Sequence, residues 1–249
     1  GPLRGTRKDR AQLRLGRAQV RITINDTTGG KMPEKAEAAI QDFDEVVRIM
    51  EEDLRSVRYT FDYPDVFVRR GLAKEEVAYG RRDAGQWAAA VQDYSRAIEL
   101  WRSPPPGEGA GLGVNPMVLN FRGNALGQLG RFEDALADYR EAAGIFAADR
   151  QPRQAALSRA NEALALFGAG RADEAVSTME AVIRRDPGVT DAHVALAASY
   201  WANGDAPRAE GEWRFACENI DTGCAQYKDL EWVREIRRWP KQLAADLQA

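Results

Sequence analysis

A short residue template recurs four times in this chain and constrains its fold more than any other feature of the sequence. Each copy begins with a glycine, followed by alanine after five residues, a bulky apolar residue after nine, and a small or branched residue after twelve. The copies begin at Gly85, Gly130, Gly170 and Gly204. Spacings of four and three place the last three positions on one face of a helix.

The template predicts helical hairpins that turn at these glycines. The residues placed on one face are Ala90, Tyr94 and Ala97; Ala135, Tyr139 and Ala142; Ala175, Met179 and Val182; and Ala209, Trp213 and Ala216. A single hairpin of this size cannot bury its apolar face, so each one must pack against its neighbours.

The best-defined copy lies within residues 115–147, where two amphipathic helices flank a predicted turn at 129–131. Gly123 marks the point at which the partner helix must come close, and Ala78, Ala163 and Ala197 take this small position in the other copies. The arrangement resembles the tetratricopeptide repeat, a helix–turn–helix unit of about 34 residues. This resemblance covers residues 71 to about 220. It implies an all-α, right-handed solenoid of about four helical hairpins, with an N-terminal helix and a C-terminal capping helix.

The spacing of the glycines departs from the family's period, because successive glycines are separated by 45, 40 and 34 residues. Residues 103–114, rich in proline and glycine, predict a loop inserted between two hairpins. The first copy is the most degenerate, since Lys74 and Arg81 stand where large apolar residues are usual.

The chain divides into four predicted parts. These are a basic arm at 1–31, a helix and turn at 32–64, the repeat array at 65–222 and a capping segment at 223–249. Gly1–Leu3 has the character of a remnant left by cleavage of an expression tag. Within the arm, Val20, Ile22 and Ile24 alternate with polar residues as in a strand, but a lone strand beside helices has no partner. Strand, helix and disorder therefore stay open for this segment.

Two further helices are predicted outside the array. The first runs over residues 33–57, where Pro33 suits the first turn and the apolar residues recur at spacings of three and four. The second runs over residues 225–238 and ends before Pro240. Both are amphipathic, so each is expected to pack against an end of the array.

Charge is distributed unevenly along the chain. Residues 1–31 carry a net charge of +6 and the remainder −9, within a formal total of −3. An acidic body argues against nucleic-acid binding by the repeats. No apolar run approaches the roughly 20 residues that cross a bilayer, which leaves peripheral membrane association open.

The sequence offers little for catalysis or metal binding. His193 is the only histidine, and its place in the first helix of a hairpin favours a buried, packing role over that of a catalytic base. Cys217 and Cys224 are the only cysteines; no structural zinc site is expected, and two thiols that do not meet are favoured over a disulfide. The glycine-rich residues 107–113 lack the Lys-Ser/Thr of a phosphate loop. We therefore expect no enzyme and no cofactor.

The family resemblance implies that the first helices of the hairpins line a concave groove, which binds segments of other proteins. The family's groove positions fall here on Tyr79, Asn120, Asn124, Asn161, Leu164 and Trp201, with Met117, Phe121 and Leu157 nearby. Asparagine is a poor helix former whose amide can bond to a peptide backbone, so the three asparagines favour a binding role. Co-chaperones of this family hold the acidic tails of Hsp70 or Hsp90 with lysine, arginine and asparagine. The lysines and arginine are missing at those positions, so such a tail is not the expected partner.

A second resemblance covers some twenty residues near the C terminus. Cys224, Tyr227 and the Arg-Arg-Trp-Pro stretch at 237–240 are similar to the ending of tetratricopeptide repeat proteins of plant, algal and cyanobacterial thylakoids. This resemblance implies a chloroplast thylakoid location and a role in assembling a membrane complex there. Without it, a cytoplasmic location is expected.

The leading functional hypothesis is a non-catalytic scaffold or adaptor that binds a partner segment in the groove. The alternative is a structural module that self-associates through its loop or terminal helices. The two differ in the oligomeric state that they predict at micromolar concentration.

Overall fold

The computed structural model describes residues 6–27, 32–52, 63–103, 113–221 and 223–248. Within these ranges the regular elements are all helical, which confirms the all-α class. The α-helices are α1 (Arg7–Thr27), α2 (Pro33–Glu52), α3 (Tyr63–Arg81), α4 (Ala84–Arg102), α5 (Pro116–Gln128), α6 (Phe132–Ala148), α7 (Pro152–Gly168), α8 (Ala172–Arg185), α9 (Thr190–Ala202), α10 (Ala206–Glu218) and α11 (Lys241–Asp246). A 3₁₀ helix at Ala225–Lys228 and a π-helical turn at Trp232–Ile236 lie between the last two.

The chain forms two compact units, residues 1–118 and 119–249, with the boundary inside α5. In the first unit α1 packs along α2, α2 along α3, and α3 pairs with α4. In the second, α6 packs on α7, α7 pairs with α8, α8 contacts α9, and α9 pairs with α10.

The segment whose structure the sequence left open is helix α1, and charge holds it against α2. Asp42 of α2 is 1% exposed and accepts from three arginines of α1. The Nη1 atom of Arg14 lies 3.3 Å from Oδ1, and Nε of Arg17 and Nη1 of Arg21 lie 2.8 and 2.5 Å from Oδ2. The Asp42 carboxylate raises the pKa of Arg17 above its ordinary value. Three of the N-terminal cations therefore satisfy a buried carboxylate.

The degenerate first hairpin, α3 with α4, uses its cations in ion pairs. Lys74 lies 2.7 Å from the Asp93 carboxylate, which Arg70 also approaches, at 2.6 Å. Asp93 is only 3% exposed, so these two cations compensate its burial. At the end of α3, Arg81 pairs with Glu37 of α2 at 2.9 Å. Ion pairs thus replace the apolar contacts that the repeat pattern predicts at Lys74 and Arg81.

The predicted turn at Gly85 is wrong. Helix α4 begins at Ala84, so Gly85 lies in its first turn, and the bend consists of Arg82, with φ 53°, and Asp83. The Asp83 side chain accepts from the Gly85 N–H at 2.8 Å and so caps the helix about one turn earlier than the template implies. The other three glycines do lie at their bends, with φ of 71°, 77° and 77° at Gly130, Gly170 and Gly204. Such values favour glycine.

The template faces pack as predicted. All twelve template residues are buried except Trp213, which is half-buried. At Gly123 an added Cβ would lie 2.7 Å from the ring of Tyr139, so the aromatic side chain rests directly on the backbone of α5. Gly71 receives Tyr94 in the same way in the first unit, at 2.6 Å. The sequence had assigned the small position there to Ala78.

The C-terminal cap is less regular than predicted. In place of one helix over 225–238, the chain forms the 3₁₀ helix, the π-helical turn and then α11, which the sequence did not predict. Val233, Trp239 and Leu243 are buried, whereas Ile236 is 47% exposed. The last helix packs on α9 and α7, so the cap lies against the first helices of two hairpins.

The expectation of two separate thiols is also wrong, because Cys217 and Cys224 form a disulfide. Their Cα atoms lie 4.6 Å apart, within the range that a disulfide spans. The chain reverses after α10, with Gly223 at φ 61°, and so returns the second cysteine to the first.

Reduction of this disulfide is expected to destabilise the cap by about 2 kcal/mol, because the bond closes a short loop that joins the cap to α10. Hydrogen exchange of residues 225–248, with and without reductant, measures the effect. Cys217→Ser serves as the control, since its exchange should not respond to reductant. Equal protection in oxidised and reduced wild-type protein would contradict the expectation.

Candidate functional site

The second unit contains a cavity of about 680 Å³ between its repeat helices and its C-terminal residues. Its lining comes from the end of α5, from α6 and α7, and from the C-terminal cap. The residues are Asn124, Gly127, Gln128, Leu129, Gly130, Phe132, Tyr139, Asn161, Leu164, Ala165, Phe167, Gly168, Arg234, Glu235, Arg237, Arg238, Trp239, Pro240, Lys241 and Gln242. The cavity therefore lies between the cap and the repeat helices.

Three of the predicted groove residues, Asn124, Asn161 and Leu164, meet at this cavity. The Oδ1 atom of Asn124 accepts from the hydroxyl of Tyr139 at 2.8 Å, which fixes the amide and leaves its Nδ2 donors for other acceptors. The Asn161 side chain is partly exposed and makes no hydrogen bond to another described residue. Leu164 is 7% exposed. The cavity thus combines amide groups with an apolar surface.

The other predicted groove residues lie elsewhere. Tyr79 belongs to the first unit. Asn120 is 8% exposed and donates from Nδ2 to Oγ of Ser158 at 2.9 Å, so it joins α5 to α7. Trp201 is 46% exposed and lines a separate cleft. Of the neighbouring residues, Met117 and Leu157 are 42% and 41% exposed, and Phe121 is half-buried.

The cap contributes charged residues that sequence reasoning did not place at the site. Arg234, Arg238 and Lys241 line the cavity, whereas the part of its lining that comes from α5 and α7 contains no lysine or arginine. The only signal in the sequence was the cluster of basic residues at 234–241.

Asp191 at the start of α9 anchors the cap. Its Oδ1 accepts from Nε of Arg237 at 2.9 Å and from the hydroxyl of Tyr227 at 2.7 Å. The Tyr227 ring packs edge-on against Trp232, with centroids 5.2 Å apart. Burial and then the Asp191 carboxylate raise the pKa of Tyr227. Burial alone would lower the pKa of Arg237, but the same carboxylate raises it above its ordinary value.

A larger groove of about 960 Å³ lies between the end of α6, the start of α7 and the end of α8. None of the predicted groove residues lines it. The family-derived positions therefore favour the smaller cavity as the candidate site.

His193 is packed into the interior, as the sequence predicts. It is 4% exposed, and its ring stacks on Phe215 with centroids 4.5 Å apart. Nδ1 lies 2.5 Å from Oε2 of Glu212, and Nε2 lies 3.0 Å from the carbonyl oxygen of Pro187. Both ring nitrogens therefore have structural partners. Within the described ranges, no group of three or more His, Cys, Asp or Glu side chains is arranged to hold a metal ion.

None of the helices in the described residues has the length and apolar character required to span a bilayer.

Comparison with known proteins agrees with this architecture. The family described as tetratricopeptide repeat matches residues 78–152 and 161–213, more than half of the chain. The crystal structure of MamA is similar at a TM-score of 0.50 and 15% identity, over 76% of this chain and 87% of MamA. The crystal structure of BtubC (BKLC) from P. vanneervenii is similar at a TM-score of 0.51 and 13% identity, over 84% of this chain and 88% of BtubC. At such identities the likeness concerns the fold alone. No curated protein matches the chain.

Proposed function

Because the chain belongs to the tetratricopeptide repeat family, we propose that it is a non-catalytic scaffold or adaptor, which binds a segment of a partner protein in the cavity of its second unit. The convergence of Asn124, Asn161 and Leu164 on that cavity carries the proposal. Amide groups bond to the backbone of an extended segment, while Leu164 and Phe167 offer apolar surface to its side chains.

The test is affinity capture of partners from the native organism with the wild-type protein and with Asn124→Ala and Asn161→Ala combined. The double variant is expected to lose about tenfold or more of the captured partner, because two sets of amide bonds are removed. Asn219→Ala changes an exposed asparagine outside the cavity and serves as the matched control. Undiminished capture by a folded double variant would contradict the proposal.

The proposed segment is not the acidic tail of a chaperone. The cations of the cavity stand on the cap, and Asp191 already neutralises Arg237. The part of α5 and α7 that lines the cavity offers no cation to a terminal carboxylate. Titration with an Asp/Glu-rich chaperone tail tests this point, and micromolar binding would refute it.

Self-association is the second candidate, and exposed apolar side chains of α1 favour it. Leu13 and Val20 are 56% and 58% exposed. Sedimentation velocity at micromolar concentration separates the candidates, because the adaptor is expected to be a monomer with an open cavity.

A narrower form of the proposal makes the protein an assembly factor for a thylakoid membrane complex in the chloroplast. Its support is the C-terminal resemblance alone. Several residues that carry this resemblance have structural roles, because Cys224 is in the disulfide and Tyr227 and Arg237 bind Asp191. Localisation of the protein in its native cell tests the narrower form, and a cytosolic location would remove it.

A further inference from the structure

The second unit carries another depression, an apolar cleft of about 230 Å³ between α9, α10 and the end of α11. Ala197, Ala198 and Ala209 line it, and each is at most 5% exposed. Two indoles stand beside these alanines: Trp201, which is 46% exposed, and the half-buried Trp213. Small side chains next to two large aromatic faces leave room for a slender side chain from outside.

The charged residues of the cleft have one sign. Glu210 and Asp246 line it together with the indoles and alanines, and its lining contains no lysine or arginine. Neither carboxylate forms an ion pair with another described residue, and Asp246 accepts a hydrogen bond from Nε2 of Gln242 at 2.8 Å. By contrast, two buried carboxylates between helices of this unit are paired, Asp138 with Arg122 and Glu162 with Arg140.

We propose that this cleft, which we call the tryptophan cleft, binds an arginine or lysine side chain from a basic segment of a partner protein. The apolar stem of that side chain packs on the alanines and its cation lies against the indole faces. Glu210 and Asp246 then supply the countercharge. Arginine fits best, because its planar guanidinium stacks on an indole and donates to carboxylates at the same time.

Charge complementarity selects this occupant. An apolar side chain would leave both carboxylates without a countercharge, and a nucleic acid would place phosphates against them. The net charge of −9 outside residues 1–31 also attracts a basic segment over a longer range. The inference rests on the proposed function only in that the occupant belongs to a protein; its residues are not those of the cavity.

The test is a titration of the full chain with blocked nine-residue peptides of glycine and serine, which differ only at the central residue: arginine, lysine or norleucine. Binding is followed by NMR at the indole N–H signals of Trp201 and Trp213. The arginine peptide is expected to shift both signals and to bind about tenfold more tightly than the norleucine peptide. Its affinity should fall as salt is added.

Three variants locate the binding. Glu210→Gln is expected to weaken arginine-peptide binding several-fold, and Trp201→Ala to abolish it. Trp201 is 46% exposed, so its replacement should leave the fold intact, as the unchanged remainder of the NMR spectrum would show. Glu218→Gln alters an exposed carboxylate of the same helix outside the cleft and should have no effect.

Equal binding of the norleucine peptide, or no shift of either indole at millimolar peptide, would overturn the proposal. Binding of methylguanidinium as tightly as the arginine peptide would also overturn it, since the cleft would then be a site for a small cation. The combined Asn124→Ala and Asn161→Ala variant should bind the arginine peptide normally. The experiment thus distinguishes a wrong proposal for the cavity from a wrong proposal for the tryptophan cleft.

Discussion

Replacing Asp42 by alanine is expected to release helix α1 from the first unit, with a loss of about 3–5 kcal/mol in the free energy that holds it there. Ala11 and Ala18 are the only apolar residues of α1 that are fully buried among those described, and Leu15 and Ile22 are half-buried, so we do not expect apolar packing alone to hold the helix. The Asp42 carboxylate, by contrast, accepts from Arg14, Arg17 and Arg21. Its removal leaves three cations facing each other without a countercharge.

Hydrogen exchange of residues 7–27 measures this release, and exchange is expected to accelerate by at least about 100-fold. Asp44→Ala is the matched control on the same helix. That carboxylate is 55% exposed and pairs, among the described residues, with Arg70 alone, so its loss should cost less than about 1 kcal/mol. Equal effects of the two substitutions would show that the arginine cluster does not hold α1.

Replacing Asp191 by alanine is expected to detach the cap from α9, again at a cost of about 3–5 kcal/mol. The substitution removes the acceptor of Arg237 and of the Tyr227 hydroxyl together. Tyr227 is 6% exposed and Arg237 is 28% exposed, so neither recovers full hydration while the cap stays in place. The cap is then expected to open, and the cavity loses one side.

Asp173→Ala provides the control for this substitution. Asp173 is the second residue of α8 as Asp191 is the second residue of α9, so both substitutions remove the same favourable interaction with a helix N-terminus. Asp173 is exposed, so its replacement by alanine should lower the free energy of unfolding by less than about 1 kcal/mol. Protection of residues 225–248 from hydrogen exchange should fall in Asp191→Ala alone. Unchanged protection would mean that packing of Trp239 and Leu243 suffices to hold the cap.

The sequence predicted the hairpins because their determinants are local. The turn glycine, the alanine and the bulky residue lie within thirteen positions, and each has a packing requirement that its residue type reveals. The exception, Gly85, is equally instructive. The cap formed by Asp83 and the left-handed Arg82 moved the bend, and a template centred on glycine does not detect such a substitute.

The features that sequence reasoning missed depend on contacts between distant residues. Docking of α1 depends on Asp42, which lies 21 to 28 positions after its arginines. The return of the cap depends on Asp191 and Arg237, which are 46 positions apart. The disulfide is an exception, because its cysteines are only seven positions apart; it depends on a chain reversal after α10, which residue types alone do not specify.

The candidate site likewise contains residues that the sequence indicated and residues that depend on tertiary contacts. The resemblance to the repeat family selected Asn124, Asn161 and Leu164, and these three residues line one cavity in the structure. The residues of the cap that close the cavity could not be predicted, since their position follows from the tertiary contact with Asp191. The repeat pattern likewise gave no indication that the Asn120 side chain would be buried and would donate a hydrogen bond to Ser158.

The central claim, that a partner segment lies in the cavity between the repeat helices and the cap, is tested most directly by photo-cross-linking in an extract of the native organism. A benzophenone amino acid is introduced at position 128 or 242, both at exposed glutamines of the cavity, or at position 219 outside it. The account predicts that one partner segment is cross-linked from 128 and 242 and not from 219. Cross-links that arise from 219, with none from the two cavity positions, would contradict it.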